Sequence, residues 1–254
     1  MNKKNLTVEK TFALAQKNHK KNNFKVAEKL YKEILKTRPN HFQTVYLLGS
    51  LSLQIKNFEQ AKQSFDKALK INPNHAPTHN NLGLVFKELE NPHKAVDCFQ
   101  KAIEIQPNYG PTYYNLGLLF VEFEEFQKAL GYCQKAIEIQ PNYAPTHNIL
   151  GLVFKELENP HKAVDCFQKA IEIQPNYAAA YNNLGLVSKE LGDPQKAITC
   201  YQKTIEIDSN YAAAHNNLGI EFRVLGEREK AISCYRKALD LDPNSIAAQT
   251  NISN

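Results

Sequence analysis

The sequence has no Cys-x-x-Cys pair, no glycine-rich phosphate loop and no apolar stretch of membrane-spanning length. Each absence closes a class of function. Without cysteines at ligand spacing, a zinc site loses its usual framework. No window approaches the roughly 20 apolar residues of a spanning helix. The charged residues 1–7 (MNKKNLT) lead into no apolar stretch of signal length, so a cytoplasmic chain with no membrane partner is expected. No basic run with interleaved aromatics appears, which argues against nucleic acid. The 31 basic and 26 acidic residues are interspersed, as on a solvated surface, and leave a formal charge of only +5. No nucleophile–base pairing or isolated acid pair stands out. The chain is expected not to be an enzyme by itself and to hold no cofactor or metal.

What is present is a period of 34 residues. Residues 76–109 and 144–177 are identical except that Asn81 is replaced by Ile149. Counting from residue 8 gives seven units, 8–41, 42–75, 76–109, 110–143, 144–177, 178–211 and 212–245, preceded by a tail at 1–7. Residues 246–254 start an eighth unit or form a C-terminal stub. A fixed period of this size signals a solenoid, whose repeats bury their apolar faces only against their neighbours. Such a chain has no domain-sized boundary inside it and offers an extended surface, so binding is the first expectation and catalysis the one that lacks a sign.

Each unit divides into two helical halves. In the unit from residue 76, Pro77 suits a first helical turn, and Leu82, Val85, Phe86 and Leu89 recur at helical spacing. Asn91 reads as an N-cap that stops the first helix, with Pro92 opening the second; Asp193–Pro194 repeats the device. Gly49, Gly83, Gly117, Gly151, Gly185 and Gly219 fall mid-helix at one phase. A mid-helix glycine costs up to about 1 kcal/mol against alanine, so something packs closely on that backbone. Ala27, Ala61, Ala95, Ala129, Ala163, Ala197 and Ala231 supply small residues in the second helix, and Tyr31, Phe65, Phe99, Phe167, Tyr201 and Tyr235 the aromatic filling. Cys98, Cys166, Cys200 and Cys234 share one phase, while Tyr132–Cys133 reverses the order of Cys98–Phe99. Equivalent cysteines lie roughly 8–10 Å apart, too far for a disulfide, and read as small buried hydrophobes.

The set Leu82, Gly83, Ala95, Phe99, Ala102 and Pro107 resembles the tetratricopeptide repeat, over residues 8–245. The resemblance implies an all-α, right-handed α-solenoid of helix-turn-helix units, seven repeats plus a truncated eighth, with the first helix of each unit lining the concave side. Ala15 and Asn18 depart from the pattern in the first unit, as terminal repeats do. Ser209 replaces the proline of the sixth, so a looser turn is expected there.

On that concave side Asn81, Asn115, Asn183 and Asn217 share repeat position six, and Asn251 joins them if an eighth unit begins at Ile246. Leu47 and Ile149 interrupt the column. Glu88, Glu122, Glu156 and Glu190 return to the same face at position thirteen, and Asn80, Tyr114, Asn148, Asn182 and Asn216 lie beside it at position five. An amide both donates and accepts, so it can pair with a peptide main chain whatever the side chains are. Repeats about 10 Å apart match roughly three residues of extended chain. The expected ligand is a protein or peptide segment in extended conformation, with the glutamates favouring basic side chains. Bridging between repeats is the other reading of the amides. The column resembles the repeat arm of protein O-linked N-acetylglucosamine transferase, where asparagines at this position hold substrate peptides.

His79, His147 and His215 alternate with Tyr113 and Tyr181, which suggests packing; His93 and His161 read as solvated. The closing IAAQTNISN restarts the repeat without a polar capping helix, which suggests part of a longer product, or an exposed last repeat that self-associates. Two functions follow: an interaction scaffold, or the substrate-recruiting arm of a larger transferase of the O-linked N-acetylglucosamine, sulfo- or methyltransferase kind. Fold alone does not choose between them.

Overall fold

The computed structural model describes residues 3–253, which form fifteen α-helices and no strand. They pair within repeats: α1 (Lys3–Lys20) with α2 (Phe24–Thr37), α3 (Phe42–Gln54) with α4 (Phe58–Ile71), and α5 (Ala76–Glu88) with α6 (Pro92–Ile105). Then follow α7 (Gly110–Glu122), α8 (Phe126–Ile139), α9 (Ala144–Glu156), α10 (Pro160–Ile173), α11 (Ala178–Glu190), α12 (Pro194–Ile207), α13 (Ala212–Val224) and α14 (Arg228–Leu241), closed by α15 (Ile246–Ser253). Helix α1 reaches back to Lys3, into the residues expected as a tail. The chain separates into two compact units, residues 1–116 and 117–254. The sequence period runs straight through that point, as it can where each repeat packs only on its neighbours.

Inside a repeat the two helices are set by one contact. A Cβ on Gly83 would stand 2.5 Å from Cε1 of Phe99, and one on Gly151 2.5 Å from Cε1 of Phe167. The ring lies directly on the backbone of the first helix, which is why that position is glycine. Between repeats the same ring packs outward: Ala61 and Phe65 of α4 cluster with Leu82 and Val85 of α5, and Ala163 and Phe167 of α10 with Leu184 and Val187 of α11. In the fourth repeat the buried Sγ of Cys133 takes the ring's place, 2.7 Å from the position of a Cβ on Gly117. Tyr132 moves to the flank and stacks on Phe120, with centroids 5.3 Å apart and planes 3° from parallel.

The turn between the helices differs from expectation. In the third repeat the helix is closed by Glu90, in the left-handed region at φ 53°, and not by Asn91. The Asn91 N–H donates to Phe86 O at 2.8 Å and the Glu90 N–H to Lys87 O at 3.0 Å, the paired bonds of a Schellman motif. Asn22, Lys56, Glu124 and Glu158 hold the same conformation in four other repeats; glycine appears there only as Gly192 and Gly226. Asn91 does occupy the N-cap of α6, yet its side chain makes no capping bond, whereas Asp193 accepts from the Lys196 N–H at 3.0 Å. Ser209 leaves its turn intact: the Tyr211 N–H still reaches Asp208 O at 3.1 Å, as the Tyr177 N–H reaches Gln174 O.

Two histidines stand at N-termini of first helices. The Nδ1 of His41 and of His75 lie 2.7 Å from Thr44 Oγ1 and Thr78 Oγ1. His41 packs edge-on against Phe12 and His75 against Phe42. Burial, followed by the nearby charge of Arg38 and of His79 respectively, lowers the pKa of both. A proton on either ring would also oppose the positive end of the helix dipole.

Glycine should therefore be costly to lose at one position and favourable to gain at another. Gly83→Ala is expected to destabilise by about 1–2 kcal/mol, because a buried ring must move, and Glu90→Gly to stabilise by up to about 1 kcal/mol by relieving the left-handed residue. Urea unfolding of the two variants against the parent checks both signs. The histidines predict a pH dependence. Their folded pKa values lie below the unfolded value of about 6.5, so the unfolded chain binds more protons and stability falls as the solution is acidified through that window. The urea midpoint should drop between about pH 7 and about pH 5, and drop less in His75→Gln.

Candidate functional site

The first helices of neighbouring repeats touch: α3 meets α5 in one unit, and α9 meets α11 and α13 meets α15 in the other. Among the described residues no pair of second helices is in comparable contact. Within each unit the solenoid therefore closes towards its first helices, and those carry the asparagines.

The asparagines are not a row of loose amides. In unit 1–116 Asn80 is 3% exposed, and its Oδ1 accepts from Asn115 Nδ2 at 2.9 Å and from Thr112 Oγ1 at 3.0 Å. Asn80 Nδ2 donates to Asn81 Oδ1 at 3.3 Å, and Asn81 Nδ2 to the Tyr46 hydroxyl at 3.3 Å. In unit 117–254 the pattern runs without interruption. Asn183 Nδ2 donates to Asn148 Oδ1 at 3.0 Å, Asn217 to Asn182 at 3.2 Å and Asn251 to Asn216 at 2.9 Å. Position five is thus a buried acceptor, and position six of the next repeat is its donor. The bridging reading of these amides describes what the side chains do in the protein itself. An amide nitrogen has two protons, so half-buried Asn183 and Asn217 each keep one beyond the inter-repeat bond. Tyr114 is half-buried, and Ile149, the exception in the column, is buried.

The glutamates of position thirteen stand exposed, Glu88 in the first unit and Glu122, Glu156 and Glu190 in the second. They do not form a purely acidic ladder. Lys155 Nζ lies 2.8 Å from Glu156 Oε1 and 3.8 Å from Glu190 Oε1. The Glu156 hydrogen bond, outweighing partial desolvation and helped by both carboxylates, raises the pKa of Lys155. Sequence reasoning passed over these lysines, although the Lys-Glu dyad repeats at 87–88, 155–156 and 189–190. It also passed over Glu221, which stands where other repeats carry Val85, Val153 or Val187. Glu221 is 2% exposed and pairs with Lys189 at 3.6 Å. Burial, and after it the Glu221 charge, raises the pKa of the Tyr201 hydroxyl.

The histidines at position four are tied to the turn before them. His79 Nε2 lies 2.9 Å from Pro73 O, His147 Nε2 2.8 Å from Pro141 O and His215 Nε2 3.1 Å from Ser209 O. Tyr113 makes the same bond through its hydroxyl, to Pro107 O at 2.9 Å, which explains why the two residue types interchange. His93 and His161 are exposed. Burial pushes the Cys133 thiol up to about 12 and those of Cys98, Cys166 and Cys200 up to about 11, the opposite of an activated nucleophile. All five cysteines are free. Among the described residues no three His, Cys, Asp or Glu side chains are grouped to hold a metal ion.

Sequence models described as tetratricopeptide repeat match residues 42–75, 76–109, 111–143, 143–210 and 176–244. No curated protein matches the chain. Among solved structures it is similar to the Cut9–Hcn1 hetero-tetramer of the APC/C, at 19% identity and a TM-score of 0.79, covering 88% of this chain and 44% of that one. It thus spans less than half the length of that relative. A Pseudomonas aeruginosa pilF structure is 23% identical with a TM-score of 0.75, over 84% of this chain and 97% of that chain. YrrB, described as a tetratricopeptide repeat protein with an unusual peptide-binding site, is 25% identical with a TM-score of 0.59, over 76% of this chain and all of that one. None of the three is a glycosyltransferase.

The amide bonds carry a stability prediction. Asn183→Ala strips a donor from Asn148, which is only 6% exposed, and is expected to cost about 1–2 kcal/mol. Asn115→Ala, whose acceptor Asn80 Oδ1 keeps the bond from Thr112 Oγ1, should cost less. Urea unfolding of the two variants side by side gives the order.

Proposed function

Since the chain belongs to the tetratricopeptide repeat family, whose repeats generally mediate protein–protein interactions, we propose that it is a scaffold that holds an extended peptide or partner segment on the face of its first helices. The observation that carries this reading is the amide register. Asn183 and Asn217 recur one repeat apart, each oriented by a bond to a buried acceptor, and each with a second N–H left over. Amides fixed at that interval suit the main chain of an extended ligand, which offers a carbonyl at every residue. The likeness to YrrB, a peptide-binding relative, supports the same reading. The Lys155, Glu156 and Glu190 group adds both signs of charge beside the amides, so acceptable ligands mix charges and are not simply basic.

The asparagine column also favours a narrower version of this function. It resembles the peptide-holding arm of protein O-linked N-acetylglucosamine transferase, and the scaffold would then recruit substrates for a transferase. The two versions differ in what becomes of the bound peptide, which is modified in one and only held in the other.

A random library of unstructured peptides panned against the intact chain supplies the probe. Selected peptides are expected to lose about ten-fold or more in affinity for Asn183→Ala/Asn217→Ala, one shared hydrogen bond at each of two sites. Circular dichroism should show both proteins fully helical at the assay temperature. Peptides that bind parent and variant equally would sink the proposal. Loss of affinity with Lys155→Ala/Glu190→Ala, outside the amide bonds, would separate ligand contact from weakened packing.

A further inference from the structure

The basic and acidic residues alternate within helices but are not evenly shared along the chain. Between Thr7 and His41 there are nine lysines and arginines against three acids, whereas residues 76–254 hold 16 basic against 21 acidic. Part of this excess lies on the first helix. Lys10, Lys17 and Lys21 of the first repeat occupy the positions of Thr78, Val85 and Leu89, and all three lysines are exposed. In later repeats that side of the helix meets the preceding repeat, so polarity on it marks an uncovered end of the stack in this structure.

This does not account for the second helix. Lys25, Lys29, Lys32 and Lys36 of α2 follow one another at four-, three- and four-residue spacing and are all exposed. The face of α2 opposite to them buries Ala27, Tyr31 and Ile34. Corresponding residues in the next two repeats are Glu59 and His93, Gln63 and Asp97, Asp66 and Gln100, then Lys70 and Glu104. The four lysines make a stripe about 16 Å long on the outward side of the repeat, away from the amide face. Lys32 is paired with Glu28 at 2.6 Å. Two aliphatic side chains, Leu14 and Val26, stand in the same basic repeat, each 49% exposed.

We propose that this outward face of the first repeat docks on an anionic lipid surface. Two features select a bilayer over a polypeptide or nucleic acid. Eight of the nine cations are lysines, compact hydrated charges suited to a diffuse anionic surface, in place of the arginines that grip single phosphates in pairs. Val26, next to Lys25, offers apolar contact at shallow depth, but no aromatic side chain is among the exposed large hydrophobics of this repeat for bases to stack on. Among the described residues no helix is long and apolar enough to cross a membrane, so the attachment is peripheral, and the absence of a spanning segment does not argue against it.

Sedimentation of the full chain with vesicles tests the proposal. The parent is expected to bind phosphatidylcholine vesicles containing about 30% phosphatidylserine, not phosphatidylcholine alone, and to be released by about 0.5 M salt. Lys25→Gln/Lys29→Gln/Lys32→Gln/Lys36→Gln should bind about a hundred-fold or more weakly. A control with the same charge change on later repeats, Lys101→Gln/Lys135→Gln/Lys169→Gln/Lys203→Gln, should stay within a few-fold of the parent. All eight positions are on the solvent side of second helices, so thermal unfolding should confirm folded variants. Equal loss in both variants would mean net charge and not this face. Equal binding to neutral vesicles, or no binding to anionic ones, overturns the proposal. Salt-sensitive retention on immobilised polyglutamate without vesicle binding would assign the face to an acidic polypeptide.

Discussion

The seat of an aromatic ring on a bare helix backbone is the contact on which the other features depend. At Gly49, Gly151 and Gly185 the ring of the same repeat lies where a Cβ would be. That closeness keeps the two helices of a repeat together, and the far side of the same ring meets Leu82 and Val85, or Leu184 and Val187, of the next repeat. One residue thus sets the geometry inside a repeat and between repeats. The fourth repeat shows that the constraint is steric and not specifically aromatic. Cys133 approaches Gly117 as closely as a ring does, and Tyr132 on Phe120 restores the lost volume at the edge.

The parts of this fold that repeat with the period were legible in the sequence, because burial imposes the same kind of residue at the same phase in six or all seven repeats. Glycines, alanines, aromatics and helix limits belong here. The left-handed turn residue was not legible. A glycine would have announced it, and Gly192 and Gly226 do, but Glu90, Glu124 and Glu158 adopt the same conformation without a compositional sign. Asn91 misled for a related reason. It has the chemistry of a cap and sits at the cap position, but the Schellman bonds close the preceding helix through its backbone N–H. Ser209 shows the limit of reading proline as a necessity, since backbone bonds hold that turn without it.

The candidate site was half legible. The column at position six stands out, but its partner is a residue 35 positions earlier, one full repeat plus one, and the meaning of that offset appears only when neighbouring helices are side by side. A search for amide pairs separated by one period plus one would have found Asn80 with Asn115 and Asn148 with Asn183 from the sequence. Charge was misread in another way. A total of +5 with both signs interspersed conceals a first repeat that is strongly basic and later repeats that are mildly acidic. The Lys-Glu dyads compensate locally at the amide face, whereas on α2 Glu28 and Glu33 balance only part of a stripe of four lysines.

Stability and recognition usually compete for the same polar group, because a side chain bonded within the protein has nothing left for a ligand. The amide escapes this conflict. Asn183 uses one N–H to hold Asn148, and that bond fixes the direction of the other. A ligand carbonyl that accepts the second proton does not break the first bond, and it meets a group whose rotamer freedom has already been spent on folding. A serine would offer one proton for both tasks, and a carboxylate none. On the proposed reading the inter-repeat bond is what prepares the amide for binding, and bridging and peptide holding would use two protons of the same nitrogen.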